Sequence, residues 1–198
     1  MKKMILIFAS FYLTNFAIGQ TNKKIEDAET IVWAGVDFSK AKMIGSIGFT
    51  DPVDINNRFL SDWNQLIIME SEKYDMKEAY KKDSVMRDLS VVNEQNKKND
   101  PDKLVINEQY NFSDGDIESI VSNYSNLKEK QGVALVYVVE YFSKLDKESS
   151  IYAVFFDLAT NEILSKQNYK SKPRGFGLRN YWAYTIYQTM KQSGKDYQ

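Results

Sequence analysis

The strongest β signal of the chain is Val133 to Phe142, a run with no polar residue except Glu140. A run this long and this rich in β-branched residues predicts a strand buried on both faces. After a polar loop at Leu145 to Ser149 comes a second run, Ile151 to Leu158, then Ala159-Thr160-Asn161-Glu162 and Ile163-Leu164. That order predicts a hairpin, with Asn161 as the residue best able, after glycine, to take positive φ at the end of a short loop. Near the other end, Ile31 to Val36 predicts a further buried strand ending near Asp37.

Helical signals alternate with these runs. Asp51-Pro52-Val53-Asp54 places a carboxylate at the N-cap, proline at the first helical position and a second carboxylate in the first turn. Phe59, Leu60, Trp63, Leu66 and Ile67 then recur at three- and four-residue spacing, which predicts a helix to about Met69 with one apolar stripe. From Glu70 to Asp102 the spacing is irregular and predicts short helices, with Asn96 to Asp102 as a polar connector. Leu104-Val105-Ile106 reads as a short strand, and Ser113 with Asp116 resembles a capping box before Ile117, Ile120, Val121 and Tyr124. A last helix, about Leu178 to Gln192, closes over the sheet. Together these elements predict an α/β fold: a mixed sheet of about four or five strands with helices packed on it, ending in strand, hairpin partner and helix.

Composition narrows the chemistry. The 198 residues include neither cysteine nor histidine, which excludes thiol nucleophiles, disulfides, a Ser-His-Asp triad and His- or Cys-ligated metal; no cofactor or metal site is read from the chain. With 26 Lys plus Arg against 27 Asp plus Glu, both signs interspersed, there is no basic face of the kind that nucleic acid requires. Residues 1–19 read as a secretory signal peptide: Lys2 and Lys3 form the basic start, Met4 to Leu13 an apolar stretch too short to span a bilayer, and Ala17 and Gly19 the small residues before a cut at Gln20. The expected product is a periplasmic or secreted single domain, 20–198, with 24 basic and 27 acidic residues. It carries no membrane span and, lacking a cysteine near the cut, no lipid anchor.

Three groups of residues are candidates for function. Asp37, Glu140 and Asp157 lie in or at the ends of apolar strands, where desolvation suits a carboxyl to general acid work, and two of them facing one cleft could hydrolyse a glycosidic bond. The alternative is that they cap turns. Arg174, Gly175, Gly177 and Arg179 precede the last helix and offer cations and free amides to an anion, or else form a close-packed turn. Tyr181, Trp182, Tyr184 and Tyr187 occupy too much of the circumference of that helix for all to be buried, so some reach an outer surface as aromatic anchors for a protein or sugar.

The strand at 133–142, the turn Asp157-Leu-Ala-Thr-Asn-Glu162 and the tail Gly175-Phe-Gly-Leu-Arg-Asn-Tyr-Trp182 resemble a group of small exported Bacteroidota proteins without assigned activity, over most of the mature chain. More distantly, the strand and hairpin resemble the α/β module of TolB N-terminal domains and curli-secretion-type envelope proteins, in which glycine usually stands at the position of Asn161. Those resemblances imply an envelope assembly or scaffold role with an envelope protein as partner. The absent lipid anchor departs from the lipoprotein pattern. Asp83-Ser84-Val85 also resembles a short O-glycosylation motif of exported Bacteroidota proteins, and reads as well as a helix start at Asp83. The expectation is a non-catalytic binding or scaffold module of the envelope, with a carboxylate-dependent glycan hydrolase as the alternative.

Overall fold

The computed structural model describes residues 23–197. The leader read at 1–19 lies outside the described residues. Seven strands form one sheet: β1 (Thr30–Asp37), β2 (Lys42–Ile44), β3 (Ser84–Arg87), β4 (Val105–Ile106), β5 (Val133–Ser143), β6 (Glu148–Asp157) and β7 (Ile163–Ser171). The long apolar strand β5 is its spine. One edge of β5 carries β1 along its first half and β2 along its second, both parallel to it, while the other edge carries antiparallel β6 along the whole length. Outside them, β3 lies parallel on β1, β4 parallel on β2, and β7 antiparallel on β6. The seven strands therefore stand in five ranks, because β1 with β2, and β3 with β4, are each one rank broken in two.

Among the helices are α1 (Pro52–Asp54), α2 (Leu60–Met69), α3 (Met76–Ala79), α4 (Ser90–Asn96), α5 (Pro101–Leu104), α6 (Asp116–Val121) and α7 (Gly177–Asp196). Asp51 accepts the Asp54 N–H at 2.8 Å, as the capping pattern predicts. The expected helix from there to Met69 is interrupted by a π-helical stretch, Ile55–Phe59. At 113–116 the carboxylate of Asp116 accepts the N–H and hydroxyl of Ser113 at 2.7 and 2.6 Å. Asn161 closes the β6–β7 turn at φ +58°.

Alternation along β5 sorts the core into two layers. Leu135, Tyr137 and Val139 face a cluster with Trp63 of α2, Tyr80 beyond α3, and Trp182, Ile186 and Met190 of α7. Ala134, Val136 and Val138 face the other, with Val92 of α4 and Ile117, Ile120 and Val121 of α6. A strand covered on both faces has no polar side to show, which is why β5 reads as an apolar run with Glu140 its one interruption before Ser143. Within the first layer the hydroxyls of Tyr80 and Tyr137 pair at 2.7 Å, and Ser193 of α7 bonds to Tyr80.

The irregular region at 70–102 holds the predicted short helices and one unpredicted strand. The segment Asp83-Ser84-Val85 leads into β3 rather than a helix, and Ser84 is exposed. Among the described residues no helix is long and apolar enough to cross a membrane.

Candidate functional site

The three strand carboxylates are each enclosed by donors of the protein itself. Asp37, at the carboxyl end of β1, accepts the Ser39 N–H at 2.7 Å and the Ser39 hydroxyl at 2.5 Å on one oxygen, and the Tyr124 hydroxyl at 2.7 Å on the other. Complete burial raises its pKa above the ordinary carboxylate value, while the Ser39 and Tyr124 bonds pull the other way. Glu140 accepts the Phe112 N–H and the Ser150 hydroxyl, both at 2.6 Å. Asp157 accepts the N–H groups of Ala159 and Thr160 at 2.8 and 2.9 Å and pairs with Lys24. Burial would push its pKa up, but the Lys24, Thr160 and Ala159 bonds together hold it below the usual value.

The register places Asp157 opposite Val133 and Asp37 opposite Val138, so Asp157 is five residues along β5 from Asp37, roughly 17 Å at strand spacing. Asp37 and Glu140 share a face and an end of the sheet, yet both are buried. An acid–base pair must open onto substrate; these groups instead fasten turns and strand ends.

The loop before α7 is a turn held from several sides. Gly175 (φ +116°) brings its backbone so close to the helix that a Cβ there would stand 3.3 Å from the Asn180 carbonyl oxygen. The Arg174 guanidinium lies 5.7 Å from the Tyr184 ring centroid, and Arg179 bonds Asn180 at 3.3 Å. The Arg179 carbonyl accepts the Trp63 indole N–H at 2.9 Å. These contacts hold the loop as a turn while leaving most of the guanidinium N–H donors of Arg174 and Arg179 facing outward, and Gly177 (φ +74°) opens the helix.

On α7 the aromatics divide. Trp182 is a core residue, contrary to its reading as a surface anchor: it is wholly buried, stacked on Phe142 at 4.6 Å and on Phe49 at 5.5 Å. It lies on the inward stripe with Ile186, Thr189, Met190 and Ser193. Tyr181, Tyr184 and Tyr187 fall three residues apart on another side and are half-buried. Each ring meets a cation from a different segment: Lys144 at 3.9 Å from Tyr181, Arg174 at 5.7 Å from Tyr184, Lys73 at 5.8 Å from Tyr187. Such contacts stabilise by about 0.5–1 kcal/mol each at exposed sites and fix the rings before anything binds. Tyr187 also meets Tyr74 edge-on at 5.9 Å.

A further set of residues emerges only from the structure. Because β3 ends opposite Trp33, the outer edge of β1 beyond it has no strand neighbour. Asparagine side chains take that place. Asn64 accepts the Val36 N–H at 2.8 Å and donates to the Val36 carbonyl at 2.9 Å. Asn96 donates to the same carbonyl at 3.0 Å and accepts the Phe38 N–H at 2.7 Å, and Asn99 donates to the Phe38 carbonyl at 3.0 Å. The sequence does carry one sign of this: Asn64 sits inside the apolar stripe of α2, between Leu60, Trp63 and Ile67. Outside this ladder lies a recess of about 380 Å³ lined by Asn56, Asn57, Ser61, Asn93, Asn96 and Lys97. Among the described residues there is no cluster of His, Cys, Asp or Glu that could hold a metal ion.

No protein family, curated protein or solved structure matches this chain.

Proposed function

We propose that the protein is an exported, non-catalytic binding module of the bacterial envelope that holds a protein partner on the tyrosine stripe of α7. The observation that carries this reading is the stripe itself: Tyr181, Tyr184 and Tyr187, each half-exposed and each pinned by a cation from another segment. Aromatic rings already fixed in place offer a large contact area at little entropic cost, the usual character of residues that dominate interfaces. The enclosed carboxylates favour binding over glycan hydrolysis, and the basic start, apolar stretch and small residues of 1–19 favour export.

The test compares wild type with Tyr184→Ala/Tyr187→Ala and with the charge reversal Lys73→Glu, each checked for an unchanged melting curve, as baits in envelope extract. A protein retained stoichiometrically by wild type and lost by both variants supports the stripe; identical partner lists overturn it. Mass spectrometry of native material should give a chain beginning at Gln20, and a chain retaining Met1 in the cytoplasmic fraction overturns export.

A further inference from the structure

One end of the molecule combines exposed apolar side chains with unbalanced positive charge. The strands β2 and β5 finish side by side, Ile44 opposite Ser143, and β7 finishes at Ser171 opposite Ser149, just inside the β5–β6 turn. Loops 45–50, 144–147 and 172–176 therefore leave the sheet at the same end. Their tips carry Ile47, 93% exposed, Leu145, 60% exposed, and Phe176, 95% exposed. The other exposed large apolar side chains of the described residues, Val53, Met69 and Met86, stand singly on other elements. Two of the loops touch, since a Cβ on Gly45 would lie 3.0 Å from Leu145 Cγ. Lys144 then links this pair to Tyr181, at the start of α7 and just beyond Phe176.

The same loops and the first turn of α7 carry Lys144, Lys147, Lys172, Arg174 and Arg179 against Asp146, and the segment after β4, which touches loop 45–50 through the Ser46 N–H bond to Asn107, adds Glu108, so five cations stand against two acids on a chain whose net charge is -1. Asp146 accepts the Ser143 hydroxyl at 2.7 Å. The acids that flank these loops in sequence are engaged as well: Asp51 caps α1, and Glu148 accepts the Tyr141 hydroxyl and pairs with Lys170.

From this arrangement we infer that the loop end is a docking surface for an anionic phospholipid bilayer. Apolar groups that line a groove or a flat patch suit a folded protein partner; these are three separate prongs, two of them almost wholly in water. Prongs of that kind enter the acyl boundary while long cationic side chains beside them stay at the phosphates. Tyr181, with its ring against Lys144, stands where aromatic residues collect at the headgroup level. The surface adjoins the upper end of the tyrosine stripe and shares Tyr181 and Arg174 with it, while Tyr187 and Lys73 lie on the flank, so Lys73→Glu reads the protein partner and Lys147→Glu/Lys172→Glu reads the bilayer.

The experiment is sedimentation of the purified protein with vesicles of phosphatidylcholine alone and of phosphatidylcholine with phosphatidylglycerol. Binding is expected to the anionic vesicles only and to fall with added salt. Lys147→Glu/Lys172→Glu should weaken it at least tenfold, since each cation near an anionic surface contributes about a fivefold factor. Ile47→Ser and Phe176→Ser, both at fully exposed positions where folding is undisturbed, should each weaken it severalfold. Phe176→Trp supplies a reporter, because Trp33, Trp63 and Trp182 are buried; its emission should shift to the blue on anionic vesicles. Absence of vesicle binding, or binding unchanged in Ile47→Ser/Phe176→Ser, overturns the inference. So does self-association of the wild type in solution that Phe176→Ser abolishes, which would assign the face to a second copy.

Discussion

Removing the asparagines beside β1 tests whether side chains can substitute for a missing strand. In Asn64→Ala the buried Val36 N–H loses its acceptor, while the Val36 carbonyl keeps the Asn96 donor. An orphaned buried amide costs about 1–3 kcal/mol, so a loss near 2 kcal/mol is expected. For a domain of this size that corresponds to a melting-temperature decrease of about 4–8 °C. Asn96→Ala orphans the Phe38 N–H instead, at a similar cost, and again leaves the Val36 carbonyl one donor. The double variant removes both donors of that carbonyl. Its loss should therefore exceed the sum of the singles by about 1 kcal/mol. Urea unfolding followed by far-ultraviolet circular dichroism, with slopes compared to confirm a common unfolded state, measures all three. A double variant that equals the sum within about 0.5 kcal/mol refutes the idea that the two amides share one carbonyl as an irreplaceable acceptor.

Two further outcomes are expected. Gly194→Ala, which in an exposed helix would stabilise by about 1 kcal/mol, should here destabilise by about 1–3 kcal/mol, because the new Cβ would stand 2.3 Å from the Ala79 carbonyl oxygen and force α7 away from α3; a gain in melting temperature would show that this contact yields freely. Asp116 is held at a pKa of about 2 by Lys40 and by Ser113, against partial desolvation, from an ordinary value of 3.8. A carboxyl with a lowered folded-state pKa contributes stability above its unfolded value and loses it as the pH falls toward the folded one, so the contribution, about 1 kcal/mol after allowance for solvent screening, should vanish between pH 4 and 2. Asp116→Asn should flatten that part of the stability curve, and an unaltered acid limb would refute the assignment.

The elements most easily read from the chain are those whose side chains are buried by one kind of neighbour. Both-face burial wrote β5 as an apolar run, and the Asp51-Pro52 start and Asn161 turn were legible because each rests on a local hydrogen bond or dihedral. The strand β3 was not legible, since of Ser84, Val85, Met86 and Arg87 only Val85 is even partly withdrawn from solvent, and periodicity has nothing to register. The three-residue strand β2 owes its place to backbone pairing with β5 and β4, which no local pattern encodes. Among site residues, the surplus of aromatics on α7 correctly required some to face outward, but which ones depends on where the helix touches the sheet. That contact turned Trp182 inward onto Phe142 and Phe49. The cations that fix the tyrosines come from 73, 144 and 174, an association that only the folded chain makes.

The order in which the chain is made has its own consequence for a sheet built around β5. Ile31 pairs with Val133, roughly a hundred residues later, and Ile44 with Ser143. Before those later residues emerge, β1 with β3 and β2 with β4 are two detached ribbons with no common neighbour. The keystone thus arrives late: the two broken ranks acquire their common neighbour only with residues 133–143, in the last third of the chain.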